Sequence, residues 1–315
     1  MGMRRGKAGL ETTRRHRWRS WAARLPVVTL AVAVSAAIPA AAQTPTPAAN
    51  SSAVNRSAAS TSQVVVALSA ILAEDGPPIE QGVIWHVFRD NPVGDGKRPL
   101  QSTHKDATPH LKLDPGAYIV NAAFGRAMLT RKLTVEAGKP LTEVFNLNAG
   151  GLRIEAVLAT GEAVPDRSVV FDVLSQERDQ SGNRIKIIGG ARPGLIIRLN
   201  AGTYQVVSTY GDANARVRAD VAVEAGKRTD ATLVQTGAKV TFKLVGQQGG
   251  EALADVAWSI INTKAETVKE AVGALPTHIL AAGRYAVLAK HQSRTFRAEF
   301  TAKAGEAAVV EVVAK

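Results

Sequence analysis

Leu113-Asp-Pro-Gly-Ala-Tyr-Ile-Val120 returns as Leu199-Asn-Ala-Gly-Thr-Tyr-Gln-Val206 and again as Leu280-Ala-Ala-Gly-Arg-Tyr-Ala-Val287. The phrase has the physics of a strand entry. Glycine takes a turn conformation that a side chain resists, and Tyr and Val two residues apart then point to one face of a sheet. The alternation runs on through Tyr118, Val120, Ala122 and Phe124 in the first copy and through Tyr204, Val206, Ser208 and Tyr210 in the second.

Other features repeat in step with it, which makes the three copies homologous units. Upstream of each glycine lies a strand with an aromatic anchor: Trp85 in Val83-Ile-Trp-His-Val87, Phe171 in Val169-Val-Phe-Asp-Val173, and Trp258 in Val256-Ala-Trp-Ser-Ile260. Downstream, a hairpin leads into a strand ending in an Ala-Gly turn, at Val135-Glu-Ala-Gly-Lys139, Val223-Glu-Ala-Gly-Lys227 and Ala302-Lys-Ala-Gly-Glu306. A last alternating strand closes each unit, as in Thr229–Gln235 and Ala307–Val313.

No window after residue 63 holds a helical period over ten residues, and the best helical candidate, Thr267–Ala274, is brief and ends at Gly273 and Pro276. Short apolar runs set between Gly, Pro and Asp indicate an all-β chain of three tandem Greek-key sandwiches, Ig-like or prealbumin-like, at 64–148, 149–236 and 237–315. Each has about seven strands, with the aromatic anchor and the motif tyrosine expected on opposing sheets. Asp114-x-Gly116-x-Tyr118 resembles the tyrosine corner of such sandwiches, and Asn200 and Ala281 replace the aspartate in the later copies. The junctions Asn148-Ala-Gly-Gly151 and Gln235-Thr-Gly-Ala238 are short, so an elongated, stiff arrangement is expected.

The formal charge of +12 is concentrated at the start, where Arg4, Arg5, Lys7, Arg14, Arg15, Arg17, Arg19 and Arg24 face a single Glu11. What remains is too mild to indicate nucleic acid. The basic start, the apolar run Leu25–Ile38 and the small residues Ala40-x-Ala42 make a secretory signal peptide cleaved after Ala42. The apolar run is short of the roughly 20 residues of a membrane-spanning helix, so no transmembrane segment is expected after cleavage. Thr13-Arg14-Arg15 raises a twin-arginine export route, though His16-Arg17-Trp18-Arg19 is too polar to fit it well. Residues 43–63, rich in Pro, Ser, Ala and Asn, are expected as a disordered linker. The chain has no cysteine. An exported protein without disulfides relies on burial for stability.

The Leu-x-Pro-Gly-x-Tyr-x-Val phrase with a following Val-x-Val-x-Ala-Gly is similar to the prealbumin-like sandwiches of bacterial envelope proteins, the carboxypeptidase regulatory-like and collagen-adhesin B-type domains. The resemblance spans nearly all of residues 64–315 and implies a stalk, spacer or interaction module. Some adhesin domains of this class carry a Lys–Asn isopeptide bond. Lys239 and Lys243 lie on early strands of the third unit, but its closing strand holds no Asn, so no such bond is expected.

Candidate chemistry is sparse. His86, His104 and His110 with Asp90, Asp95 and Asp106 form the densest polar stretch, yet Asp-Gly, Asn-Pro and Thr-Pro in it are turn residues, and no ligand spacing emerges. There is no Gly-x-Ser-x-Gly elbow. Glu136 and Glu224 occupy equivalent positions beside turns, which suits a role in the fold. Gly150-Gly151 and Gly189-Gly190 precede no helix, so no phosphate cradle is indicated. No catalytic, cofactor or metal site is assigned.

The reading is a non-catalytic, periplasmic or secreted structural or protein-interaction module of the bacterial envelope, with a protein partner there and its oligomeric state unassigned. The alternative is a carbohydrate- or anionic-polymer-binding module. With Trp85, Trp258, Tyr118, Tyr204 and Tyr285 read as core, Tyr210 is the residue left to stack on a sugar. Arg126, Arg131, Lys132, Arg216 and Arg218 lie on solvated strands that an anionic polymer or headgroup could meet by charge. An open sheet edge that recruits another strand is the expected mode of protein interaction.

Overall fold

The Gly-x-Tyr phrase opens a long central strand three times, and among the described residues eighteen further strands arrange themselves around those three. A computed structural model describes residues 62–91 and 96–315. The expected signal peptide, the linker up to residue 61 and Asp95 lie outside the described residues. The first sandwich comprises β1 (Val64–Ile71), β2 (Val83–Arg89), β3 (Leu100–His104), β4 (His110–Leu113), β5 (Gly116–Phe124), β6 (Ala127–Val135) and β7 (Leu141–Asn146). The second holds β8 (Ala149–Leu158), β9 (Val169–Arg178), β10 (Arg184–Ala191), β11 (Ile196–Asn200), β12 (Gly202–Tyr210), β13 (Arg216–Val223) and β14 (Arg228–Gln235). The third holds β15 (Gly237–Val245), β16 (Ala257–Asn262), β17 (Thr267–Val272), β18 (Thr277–Ala281), β19 (Gly283–His291), β20 (Arg294–Ala302) and β21 (Ala307–Val313). The brief helical candidate at 267–274 is therefore strand β17.

Each sandwich repeats one topology. A three-stranded sheet β4-β1-β7 faces a four-stranded sheet β3-β2-β5-β6, and the later copies follow as β11-β8-β14 with β10-β9-β12-β13 and β18-β15-β21 with β17-β16-β19-β20. First and last strands pair in parallel, as in Val66–Leu141 through Ile71–Asn146. The antibody order would seat the first strand beside the second. Here it lies between the fourth and the seventh, the prealbumin-like arrangement. The three sandwiches belong to a single compact unit.

The motif glycines show why no other residue stands there: Gly116, Gly202 and Gly283 have φ of 153°, 151° and 157°. Side chains resist that region. The tyrosines then fold back. Tyr118 Oη donates to the Asp114 carbonyl at 2.8 Å, Tyr204 to Asn200 at 2.9 Å, and Tyr285 to Ala281 at 2.9 Å. The acceptor is main chain in every case, so exchanging Asp114 for Asn200 or Ala281 leaves the corner intact.

The anchors sit elsewhere than expected. Trp85 and Tyr118 belong to adjacent strands of one sheet, with Trp85 opposite Ala122. Trp258 likewise lies opposite Ala289. A small cross-strand neighbour leaves the indole free to cross the interior, where it meets an aromatic from the facing sheet. Phe145 stands edge-on to Trp85 at 5.1 Å, and Phe242 lies 5.7 Å from Trp258. Each indole N–H finds a carbonyl, Asp106 or Gly273. In the second sandwich the smaller Phe171 faces Ser208. The buried Ser208 hydroxyl donates to Gln235 Oε1 at 2.9 Å, and Gln235 returns its amide to the Leu233 carbonyl. Burying each ring contributes roughly 2–3 kcal/mol.

Candidate interaction surfaces

One arrangement recurs where one sandwich meets the next: a hairpin tip of the earlier one rests on the strand that precedes the Gly-x-Tyr motif of the later one. At joint 1 the β5–β6 tip, Gly125-Arg126, meets β11. Arg126 N–H donates to the Arg198 carbonyl at 3.0 Å. The Arg198 guanidinium covers the Phe124 ring, 4.3 Å from its centroid. Asn200 clasps the earlier sandwich, donating to the carbonyls of Leu147 (2.7 Å) and Met128 (3.2 Å) and accepting from Met128 N–H at 3.2 Å.

At joint 2 the β12–β13 tip, residues 211–214, meets β18. Asn214 accepts the Ala281 N–H at 2.9 Å and donates to Tyr285 Oη at 3.0 Å. Asp212 lies 3.1 Å from His278 Nδ1 and 2.8 Å from Lys269 Nζ. Burial pushes the Asp212 carboxyl up, but the hydrogen bonds from Lys269 and His278 outweigh it and hold the group below the usual aspartate range. His278 is buried, with Nδ1 turned to Asp212 and Nε2 unpartnered among the described residues. Ile279 packs against the core cluster of the second sandwich, and at joint 1 the equivalent position is Arg198.

The residues singled out in the sequence fall as follows. The three histidines do not converge. His86 and His104 are on neighbouring strands but point to opposite faces, since His104 pairs with Trp85 and His86 with Thr103, and His110 is on the other sheet. Asp90 binds Lys132 at 2.7 Å and Arg98 at 2.8 Å, and these, Lys132 foremost, hold its carboxyl below the usual range. Among the described residues no group of three acidic, histidine or cysteine side chains is placed to hold a metal. Glu136 and Glu224 each pair with the turn lysine three residues on, both at 2.6 Å. Lys243 pairs with Glu311 at 3.3 Å across β15 and β21.

Two expectations tied to polymer binding change. Tyr210 is not available to a sugar: it is buried in the second core beside joint 2. Among the described residues no aromatic side chain is exposed. Of the cations, Arg131 binds Glu143 at 3.1 Å and lies over the Phe145 ring, and Lys132 is held by Asp90. Arg216 and Arg218 project exposed from β13. An open cleft of about 420 Å³ on the outer face of the third sandwich is lined by Ile261, Asn262, Arg284, Leu288, Arg297 and Glu299. A second, of about 340 Å³, lies at joint 2 between Asn214, Arg216, Asn262 and Thr267.

The joint contacts are not legible in the sequence, where Arg126 reads as a surface cation and Tyr285 as a core residue. Their one visible trace is that Asn200 and Ala281 depart from Asp114 at a repeated position. Among the described residues no helix is long and apolar enough to cross a membrane.

Residues 239–314, within the third sandwich, are similar to the Rhizobiales growth-associated tandem repeat domain. No curated protein matches the chain. Among solved structures, the Bacillus anthracis TIE protein is 16% identical over 81% of this chain and 51% of its own, with a TM-score of 0.24. A Streptococcal ancillary pilin is 14% identical over 80% of this chain and 99% of its own, with a TM-score of 0.28. GBS52, the minor pilin of Streptococcus agalactiae, is 15% identical over 55% and 95%, with a TM-score of 0.29. The chain thus spans about half the length of the Bacillus anthracis protein. At these identities and TM-scores no activity, partner or assembly transfers to this chain.

Proposed function

We propose that the chain is an exported, non-catalytic structural and protein-interaction module of the cell envelope. The observation that carries this is where its side-chain polar groups are used. They close three equivalent tyrosine corners and stitch two joints, and among the described residues no group of metal-ligating side chains is gathered beside them. Asparagine clasps at both joints resist bending, which suits a spacer that presents its faces in fixed relation to a protein partner. A binder of anionic envelope polymer is the second reading, favoured by the exposed Arg216 and Arg218 on one face of β13.

The test is affinity capture with residues 43–315 from a native envelope extract under mild crosslinking. One protein recovered in stoichiometric amount is the expected result. Recovery of glycan or another envelope polymer without protein overturns it in favour of the second reading, and Arg216→Ala with Arg218→Ala then abolishes that capture.

A further inference from the structure

Every sandwich leaves its last strand at the edge of the three-stranded sheet, and an open edge is a template for another strand unless it is guarded. The three copies can be compared position by position. Aligned on the turn glycines Gly138, Gly226 and Gly305, the corresponding residues are Pro140, Thr142 and Val144, then Arg228, Asp230 and Thr232, then Ala307, Val309 and Glu311. The first edge begins with a proline, which has no N–H to offer. It also has Arg131, whose guanidinium takes the Val144 carbonyl at 3.2 Å and pairs with the strand's own Glu143. The second edge carries Arg228 and Asp230, themselves an ion pair at 3.1 Å. Charges on an edge are a recognised guard.

The third edge has lost these devices. Arg131 lies opposite Val120, and the residues in the same place opposite Val206 and Val287 are Ala219 and Ala298. Strand β21 reads Ala-Ala-Val-Val-Glu-Val-Val, and Val309 is 68% exposed. Its single charge, Glu311, is engaged by Lys243 and by the Gly249 N–H at 3.0 Å. Lys239 N–H reaches the Glu306 carbonyl and Ala314 N–H the Val245 carbonyl. Even-numbered residues of β21 therefore serve the pairing with β15, and the backbone groups of Ala307, Val309 and Glu311 point away from the sheet.

We propose that β21 is a self-pairing edge, through which two copies of this chain join by antiparallel β21–β21 pairing about a two-fold axis at Val309. A strand that fits here is extended, free of proline, apolar at its centre and small where it meets Glu311. In the register centred on Val309, β21 meets each demand itself: Val309 faces Val309, and Ala307 faces Glu311. The contact is isologous and closes at two copies. A seam of one strand pair is smaller than a standard interface, so the dimer is weak and concentration-dependent. The proposal deepens the interaction-module reading and rests on it; its failure leaves an envelope partner at another surface untouched.

The absence of cysteine from the chain permits a direct test. Directly paired residues of this kind have Cα atoms about 5.5 Å apart, within disulfide range. Full-chain Val309→Cys is expected to oxidise to a covalent dimer at least about tenfold faster than Val234→Cys, which carries the thiol on the guarded second edge. Sedimentation equilibrium of the full chain is expected to show a dimer that Val309→Lys weakens at least about tenfold, because two like charges then face each other on the axis. The melting temperature of the monomer stays unchanged, since Val309 packs against nothing it would lose. Equal oxidation rates of the two cysteine variants, or a wild-type chain that stays monomeric into the millimolar range, overturn the proposal. So does a dimer indifferent to Val309→Lys.

Discussion

Joints 1 and 2 bring together the same pair of elements, a hairpin tip and the strand before the next Gly-x-Tyr motif, yet the clasping asparagine belongs to opposite partners. Asn200 comes from the later sandwich and reaches back to Leu147 and Met128. Asn214 comes from the earlier one and reaches forward to Ala281 and Tyr285. Position 281, equivalent to 200, is alanine, so the clasp has moved across the joint without being lost. The surrounding chemistry differs too. Joint 1 stacks a guanidinium on a phenyl ring, whereas joint 2 inserts Ile279 and carries a carboxylate between a lysine and a histidine. The requirement common to both is a main-chain N–H left at a strand end, Met128 at joint 1 and Ala281 at joint 2, and either partner can supply the amide that meets it.

The two joints are expected to differ most at their hairpin glycines. Both tips take positive φ, 66° at Gly125 and 73° at Gly211. A Cβ at 211 would stand 2.5 Å from the Ile279 Cβ, whereas one at 125 would meet the Arg198 Cβ at 3.0 Å. Both clashes are with a Cβ, which cannot swing away, and the one with Ile279 is the deeper. Gly211→Ala is expected to cost about 2–4 kcal/mol and Gly125→Ala about 1–2 kcal/mol, from backbone strain plus overpacking. Denaturant titration of the two variants checks the order. Equal losses would mean that Ile279 shifts as freely as Arg198.

The asparagines come next. Asn200→Ala removes three hydrogen bonds and converts joint 1 to the residue that the third copy carries at Ala281. With no asparagine on the opposite hairpin to take over, a loss of about 1–3 kcal/mol is expected. Asn214→Ala orphans the Ala281 N–H and removes one of the two partners of Tyr285 Oη, with a loss in the same range. In each variant hydrogen exchange is expected to rise at its own joint and stay constant at the other; a rise at both would mean that the joints open together.

The repeated core was legible in the sequence and the joints were not, for a physical reason. A core strand writes its burial into local alternation, so Trp85, Phe171 and Trp258 and the three tyrosines announce themselves within a few residues. Even there, opposing placement of anchor and tyrosine failed, because sheet membership is decided by strand pairing far away; the small Ala122 and Ala289 opposite the indoles were the local hint. A joint is written in single polar residues far apart in the chain, such as Asn200 with Met128, on strands whose alternation is already satisfied. Tyr210 shows the same limit. Its alternation was seen, but it was read as free for stacking because the first strand of the next sandwich, with Gly237 against its ring, was not part of any local pattern.

The smallest expected effect separates the joints by pH. Asp212 ionises more readily in the folded chain than in the unfolded one, because Lys269 and His278 hold it against the opposing effect of burial. Its contribution to joint 2 is therefore complete above the ordinary aspartate value of 3.8 and is lost as the pH falls through the lower folded value. Joint 1 has no carboxylate among its stitching groups, so the two should part company only in acid. Because Asp212 is about half exposed, solvent screening keeps the loss small. Amide protection at residues 211–214, corrected for intrinsic exchange, is expected to fall between pH 5 and pH 3 while that at residues 125–126 holds. Asp212→Asn should remove the difference by making joint 2 weaker at pH 5 and insensitive thereafter. If the wild-type tips lose protection together, the carboxylate is an ornament of joint 2, and Asn214 with Ile279 holds it unaided.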